Sequence, residues 1–245
     1  MPQRNIVILD KEEAPWRSFL EEFFNDTPSL IHSFDDPVKA NQHLAKHSAD
    51  ILFIRDSLLA PVLVQKIKAS RQLEPETRIF ELGTDQPPSK NLPYDFVFKE
   101  PIIFSEFQKK LVNQLPFPEK IRLLVVDDGP EIGEMFKDFL TERTHPSFET
   151  EYQNNGQKGL AAVETYKPDV IVLDVKMPVM SGIEVYRAMH QKGWPIPVII
   201  FFDAIFGDEV MQIHKIGRPA IVEKGSHESQ MPEMLPLILK MYYFA

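Results

Sequence analysis

Residues 168–182, PDVIVLDVKMPVMSG, decide the fold. Val170 to Leu173 form a short apolar run of the kind that a strand covered on both faces shows. The run delivers one carboxylate, Asp174, to its C-terminal end. A loop through Met177-Pro178 follows, and Ser181-Gly182 opens a helix, with Ser181 placed to accept from a first-turn N–H. In an open parallel α/β sheet, ligands bind in the crevice outside the C-terminal strand ends. Asp174 therefore stands where chemistry would be. Two further strand ends carry charged groups. Residues 121–128, IRLLVVDD, end in Asp127 and Asp128, and residues 220–224, AIVEK, end in Lys224.

An acidic pair, then a lone Asp, then a Lys, each at a strand end, resembles the receiver domain of bacterial response regulators. The run LDVKMPVMSG is similar to that family's phosphoacceptor signature. The resemblance covers residues 120–245 well and residues 1–115 as a degraded copy. It implies two flavodoxin-like (βα)5 doubly wound parallel-sheet domains in tandem, with strand order 2-1-3-4-5. It further implies Asp174 as phosphoacceptor and Lys224 as the group that binds phosphoryl oxygens. Mg2+ would be held by Asp128, Asp174 and the backbone carbonyl of Lys176, with Asp127 acting through a water. The chemistry is coherent, because a carboxylate attacks an anionic phosphoryl group poorly unless a hard cation offsets the repulsion. Magnesium takes oxygen ligands and keeps several waters, and Lys224 adds a mobile point charge.

Composition narrows the rest. The 245 residues contain no Cys, so disulfides and thiolate metal sites are excluded. The apolar runs, such as Val198 to Phe202, are too short to span a bilayer, and no signal peptide is visible, so a cytoplasmic protein without membrane insertion is expected. The net charge of −9 divides into −3 over residues 1–115, with 14 basic and 17 acidic residues, and −6 over the remainder, with 13 and 19. Neither half carries the basic footprint of a nucleic-acid binder. Glycine-rich phosphate loops and nucleophile elbows are missing, so no catalytic domain is expected.

The halves repeat one programme. In the first, 5–10, 50–54, 78–82 and 95–98 read as strands, and helices are expected after Pro15, after Asp36-Pro37, around 62–69 and over 105–115. Residues 83–94 contain three prolines and cannot make an ordinary helix. Residues 115–120, LPFPEK, read as a linker. The second half repeats with strands near 121–128, 146–152, 170–173, 197–202 and 220–224, and helices over 130–140, 157–166, 182–191, 208–216 and 232–243, the last with an awkward Pro236. Asp10 matches Asp127, Asp50 matches Asp169, and Lys99 is aligned with Lys224. Lys11 then replaces the metal-binding acid and Arg55 takes the acceptor position, so the first half reads as a pseudo-receiver. Asp56 could substitute only by a one-residue slip that turns it to the other face. Arg55 is expected to pair with Asp10.

The second half departs from the family at the fourth strand. The phosphoryl-binding hydroxyl and the small residue after it fall on Phe202 and Asp203, or on Asp203 and Ala204 with a one-residue shift. Phe202 could shield the site, and Asp203 would add negative charge. The aromatic switch position three residues before the lysine is Ile221, against Phe96 in the first half, and Gly225 replaces the usual proline. His43 and His47, four apart, read as a solvated helix face lacking a third metal ligand. The expectation is a response regulator without an effector domain, partnered by a sensor histidine kinase or phosphotransfer protein and by a downstream protein, with homodimer formation allowed. The alternatives are a phosphorylation-independent scaffold of two interaction modules, or a regulatory piece of a longer enzyme.

Overall fold

A computed structural model describes residues 3–73, 76–83, 92, 94–143, 145–203, 207–225 and 227–244, without the side chains of residues 56, 70–73 and 227–230. Two compact units part after Pro116. The first runs β1 (Asn5–Leu9), α1 (Pro15–Phe23), β2 (Leu30–Phe34), α2 (Pro37–Leu44), β3 (Ile51–Ile54), α3 (Pro61–Leu73), β4 (Arg78–Gly83), β5 (Phe96–Lys99) and α4 (Phe104–Val112). The second runs β6 (Lys120–Val126), α5 (Pro130–Thr141), β7 (Ser147–Gln153), α6 (Gly156–Tyr166), β8 (Val170–Asp174), α7 (Gly182–Gln191), β9 (Val198–Phe202), α8 (Gly207–Ile216), β10 (Ala220–Glu223) and α9 (His227–Phe244).

Each unit has one five-stranded parallel sheet, in the orders β2-β1-β3-β4-β5 and β7-β6-β8-β9-β10. Both read 2-1-3-4-5 within their unit, the flavodoxin-like doubly wound arrangement. Strand β2 was not anticipated. Its sequence, LIHSF, mixes polar and apolar residues on a half-exposed edge strand, so it has neither the apolar run nor the alternation that marks a strand. Helix α9 starts earlier than expected and continues through Pro232 and Pro236. The proline-rich stretch at 83–94 lies almost wholly outside the described residues.

In the second unit, period-2 alternation sorts the buried strands onto two faces. Leu124, Val126, Ile171, Leu173, Val198 and Ile200 pack with α6, α7 and α8. Leu123, Val125, Val170, Val172, Ile199 and Phe201 pack with Ile132 and Phe136 of α5 and Met234 and Ile238 of α9. The same parity carried to the strand ends puts Asp127, Asp174 and Lys224 together on the α5/α9 face. One loop needs a glycine. A Cβ on Gly182 would lie 2.0 Å from the Asp174 carbonyl oxygen, so only glycine lets α7 start this close behind the strand. Ser181 and Glu184 close a capping box there, with Glu184 Oε2 accepting from the Ser181 N–H at 2.8 Å.

Candidate functional site at the strand ends

Lys224 joins the C-terminal site. Its Nζ lies 2.7 Å from Asp174 Oδ1, 2.9 Å from Asp127 Oδ2 and 3.6 Å from Asp203 Oδ2. Asp127, Asp174 and the Lys224 side chain are almost completely buried, whereas the Asp203 side chain is 80% exposed. The Lys224 N–H donates to the Phe202 carbonyl at 2.6 Å, extending the β9–β10 ladder by one rung and fixing the lysine between the carboxylates. Burial pushes the Asp127 and Asp174 carboxyls up. Hydrogen bonds from Lys224, and from the backbone N–H groups of Gly129 and Lys176 respectively, pull them back only in part. Burial also works against the Lys224 ammonium, but its bonds to Asp127 and Asp174 outweigh that and hold its pKa above the ordinary lysine value. One cation is shared by two buried anions.

Asp128 and the Lys176 side chain are exposed beside this pair. Among the described residues no three Asp, Glu or His side chains converge closely enough to hold a metal ion, and at this site the Lys224 ammonium contacts both Asp127 and Asp174. The chemistry of the donor set nonetheless fits a hard divalent cation: carboxylate oxygens and a neighbouring backbone carbonyl. Asp127 was expected to act through a water, and here it pairs directly with Lys224.

One aromatic assignment changes. Phe202 does not cover the site; it packs on the α6–α8 face, as its even number in β9 requires. The aromatic at the site is Phe201, whose ring centre lies 5.7 Å from Lys224 Nζ. Ile221 likewise packs on the α6–α8 face. Sequence reasoning also missed Tyr152. Burial raises its phenol pKa, with Asp127, Asp128 and Glu131 adding to the shift, and its hydroxyl is buried with no hydrogen-bond partner among the described residues. No sequence signal marked it, because its relation to Asp127 depends on β7 lying beside β6.

The N-terminal site is aligned by register. Leu9 pairs with Ile54 as Val126 pairs with Leu173, so Asp10 and Arg55 occupy the places of Asp127 and Asp174. Ile54 then pairs with Glu81 as Leu173 pairs with Ile200, and Leu82 with Phe98 as Phe201 with Val222. One step on, Lys99 corresponds to Glu223, and two steps on, Glu100 corresponds to Lys224. The alignment of Lys99 with Lys224 is therefore one residue out, and the residue at the switch position is Val97, not Phe96. The signal was present: Pro101 follows Glu100, where the family resemblance puts a proline after the lysine.

Arg55 meets Asp10 as expected. Its Nε donates to Asp10 Oδ1 and its Nη2 to Oδ2 at 3.3 Å, while Nη2 lies 3.7 Å from Glu100 Oε1. Asp10 is fully buried, and its Oδ1 also accepts from the Lys11 N–H at 2.8 Å. The hydrogen bond to Asp10 raises the Arg55 pKa against burial, with Asp10 and Glu100 adding attraction. The Arg55 N–H bonds the Leu9 carbonyl at 2.8 Å, so the ladder reaches Arg55 without the slip that Asp56 would need. The Asp56 side chain is outside the described residues. Away from the strand ends, His32 joins the expected pair: its ring centre is 4.2 Å from that of His43, and His43 and His47 are 4.7 Å apart. Burial, then His32 and His47, lower the His43 pKa, and the trio does not form a metal cluster.

Comparison with known proteins places the C-terminal unit in a family. The family model for the response regulator receiver domain matches residues 123–236. The protein-glutamate methylesterase/protein-glutamine glutaminase of Bacillus subtilis is 42% identical over 80 residues, covering 33% of this chain and 22% of that protein. The heme response regulator HssR of Staphylococcus saprophyticus is 32% identical over 121 residues, covering 49% of this chain and 51% of that protein. The response regulator domain of Thermotoga maritima CheB superposes with a TM-score of 0.45 at 24% identity, over 50% of this chain and 96% of that one. The chain thus spans about a fifth of the methylesterase and half of the heme regulator. Residues 123–236 of this chain are a response regulator receiver domain, preceded by a second unit with the same sheet order.

Proposed function

We propose that the C-terminal unit accepts a phosphoryl group on Asp174 and that the N-terminal unit is a sterile copy serving as an interaction module. The observation that carries this is Lys224 Nζ bridging two buried carboxylates, Asp127 and Asp174, at 2.9 and 2.7 Å at the ends of adjacent strands. The donor class is a phosphohistidine on a sensor kinase or phosphotransfer protein. A carboxylate oxygen of Asp174 attacks phosphorus, the P–N bond breaks, and the imidazole leaves with the electron pair. Lys224 then passes its hydrogen bond from Asp174 to the phosphoryl oxygens, and a buried ammonium is worth more there than in water. Asp127, Asp128, Asp174 and the carbonyl of Lys176 would hold Mg2+, which when bound offsets the charge of the incoming phosphoryl group.

Output runs through protein–protein contact, in a regulator that is not itself an enzyme. Among the described residues no helix is long and apolar enough to cross a membrane. The test is intact mass after incubation with Mg2+ and a phosphorylated histidine donor protein. One phosphoryl adduct, lost in Asp174→Asn, is expected. No adduct, or an undiminished adduct in Asp174→Asn, would overturn the proposal in favour of a phosphorylation-independent scaffold.

A further inference from the structure

Asp203 is a third carboxylate on Lys224, and nothing in the acceptor chemistry requires it. It follows Phe202, whose carbonyl accepts the Lys224 N–H at 2.6 Å, so the last rung of the β9–β10 ladder holds Asp203 beside the lysine. Its Oδ2 is 3.6 Å from Lys224 Nζ. The two carboxylates that share the ammonium are buried, while the Asp203 side chain is 80% exposed. Asp203 is thus the solvent-exposed member of the three carboxylates around the lysine.

Building on the acceptor reading above, we propose that Asp203 is a positioning residue that restrains Lys224 and sets the site against small, free phosphoryl anions. It does so in two ways. It draws on the same ammonium that must turn to the phosphoryl oxygens, and it adds a negative charge at the mouth that repels a free dianion. A donor delivered by a docked protein is held in place by other contacts and is less affected by that repulsion. The site is therefore selective for protein-bound phosphoryl groups.

Acetyl phosphate is the probe. An oxygen of Asp174 attacks its phosphorus, the new O–P bond forms as the bond to the acetate oxygen breaks, and acetate leaves with the electron pair. Initial rates of adduct formation on the full chain are compared for wild type, Asp203→Asn, Asp203→Ala and Asp203→Glu with saturating Mg2+. At low salt the Asn and Ala variants are expected to react about fivefold faster, the scale of one partly screened charge a few ångströms away. Asp203→Glu, which keeps the charge, stays near wild type. Because the effect is electrostatic, the ratio falls toward one near ~1 M salt, where screening acts within about 3 Å. Equal rates at low salt, or a gain that persists at high salt, would overturn the inference while leaving the acceptor reading intact. If all four proteins stay unlabelled by both acetyl phosphate and a phosphohistidine donor, the acceptor reading has failed and the inference with it.

Discussion

The two strand-end sites share a backbone register and differ in sign. Asp10 and Asp127 are both buried at the end of the first strand of their unit. Where the C-terminal site has Asp174 and Lys224, the N-terminal one has Arg55 and Glu100: anion and cation have exchanged places. With Lys11 in place of Asp128, the N-terminal site has two positive groups against two negative ones. The C-terminal site has four carboxylates, Asp127, Asp128, Asp174 and the exposed Asp203, against Lys224 alone. An excess of clustered carboxylate is what a divalent cation neutralises. A site neutralised by its own guanidinium offers a cation nothing. On the proposed reading, three side chains decide whether the same scaffold responds to a cation.

The contrast can be broken most severely at Arg55. Arg55→Ala leaves the fully buried Asp10 without its partner and should destabilise the N-terminal unit by about 3 kcal/mol, read from hydrogen exchange of β1 and β3. A loss below ~1 kcal/mol would mean that Asp10 finds other solvation and that the pair is not what holds this site. The contrast can next be reversed. Arg55→Asp combined with Glu100→Lys and Lys11→Asp reproduces the C-terminal charge pattern. This variant should gain Mg2+-dependent stability in its N-terminal unit, about 1.4 kcal/mol at ten times the dissociation constant, where wild type gains none.

Asp174→Asn tests the cost of two buried anions sharing one cation. At pH 7 without divalent ions it should stabilise the C-terminal unit by ~1 kcal/mol in urea titrations. The sign follows from the direction of the shift. Burial raises the Asp174 carboxyl in the folded state, so the folded state holds its proton more tightly, and the penalty is present at neutral pH. It shrinks as pH falls through the raised value toward the ordinary 3.8, and the advantage of the Asn variant should shrink with it. A variant less stable than wild type at pH 7 would show that Lys224 more than compensates both carboxylates. The smallest effect belongs to Glu100→Gln. Glu100 is 42% exposed and 3.7 Å from Arg55, so the change should stay within ~0.5 kcal/mol. A larger loss would make Glu100, rather than Asp10, the main partner of Arg55.

Much of this was legible in the chain itself. Apolar runs ending in charge located Asp127, Asp174 and Lys224, because a parallel sheet covered on both faces leaves few ways to place such runs. Arg55 against Asp10 was legible too, since both lie one step past a buried strand. Lys99 was misread because a lysine at a strand end resembles the expected group, and only the β4–β5 register shows that Glu100 stands in the matching position. Phe202 was misread for a related reason. Whether a side chain covers the site or the opposite core depends on strand parity, and the parity of β9 is fixed by its pairing with β8. Strand β2 carries no apolar pattern because it lies at a half-exposed edge. The placement of Tyr152 beside the acidic pair is a tertiary fact with no local trace.

The central claim is that one chain carries two copies of a site, of which only the second responds to a cation. Backbone amide shifts followed by heteronuclear NMR during a Mg2+ titration of the full wild-type chain test it most directly. The amides of Asp127, Asp128, Asp174, Val175 and Lys176 should shift and saturate together, while those of Asp10, Lys11, Arg55 and Glu100 stay still. Saturable shifts around Asp10 and Arg55 comparable to those around Asp174, or none at either site, would contradict the account.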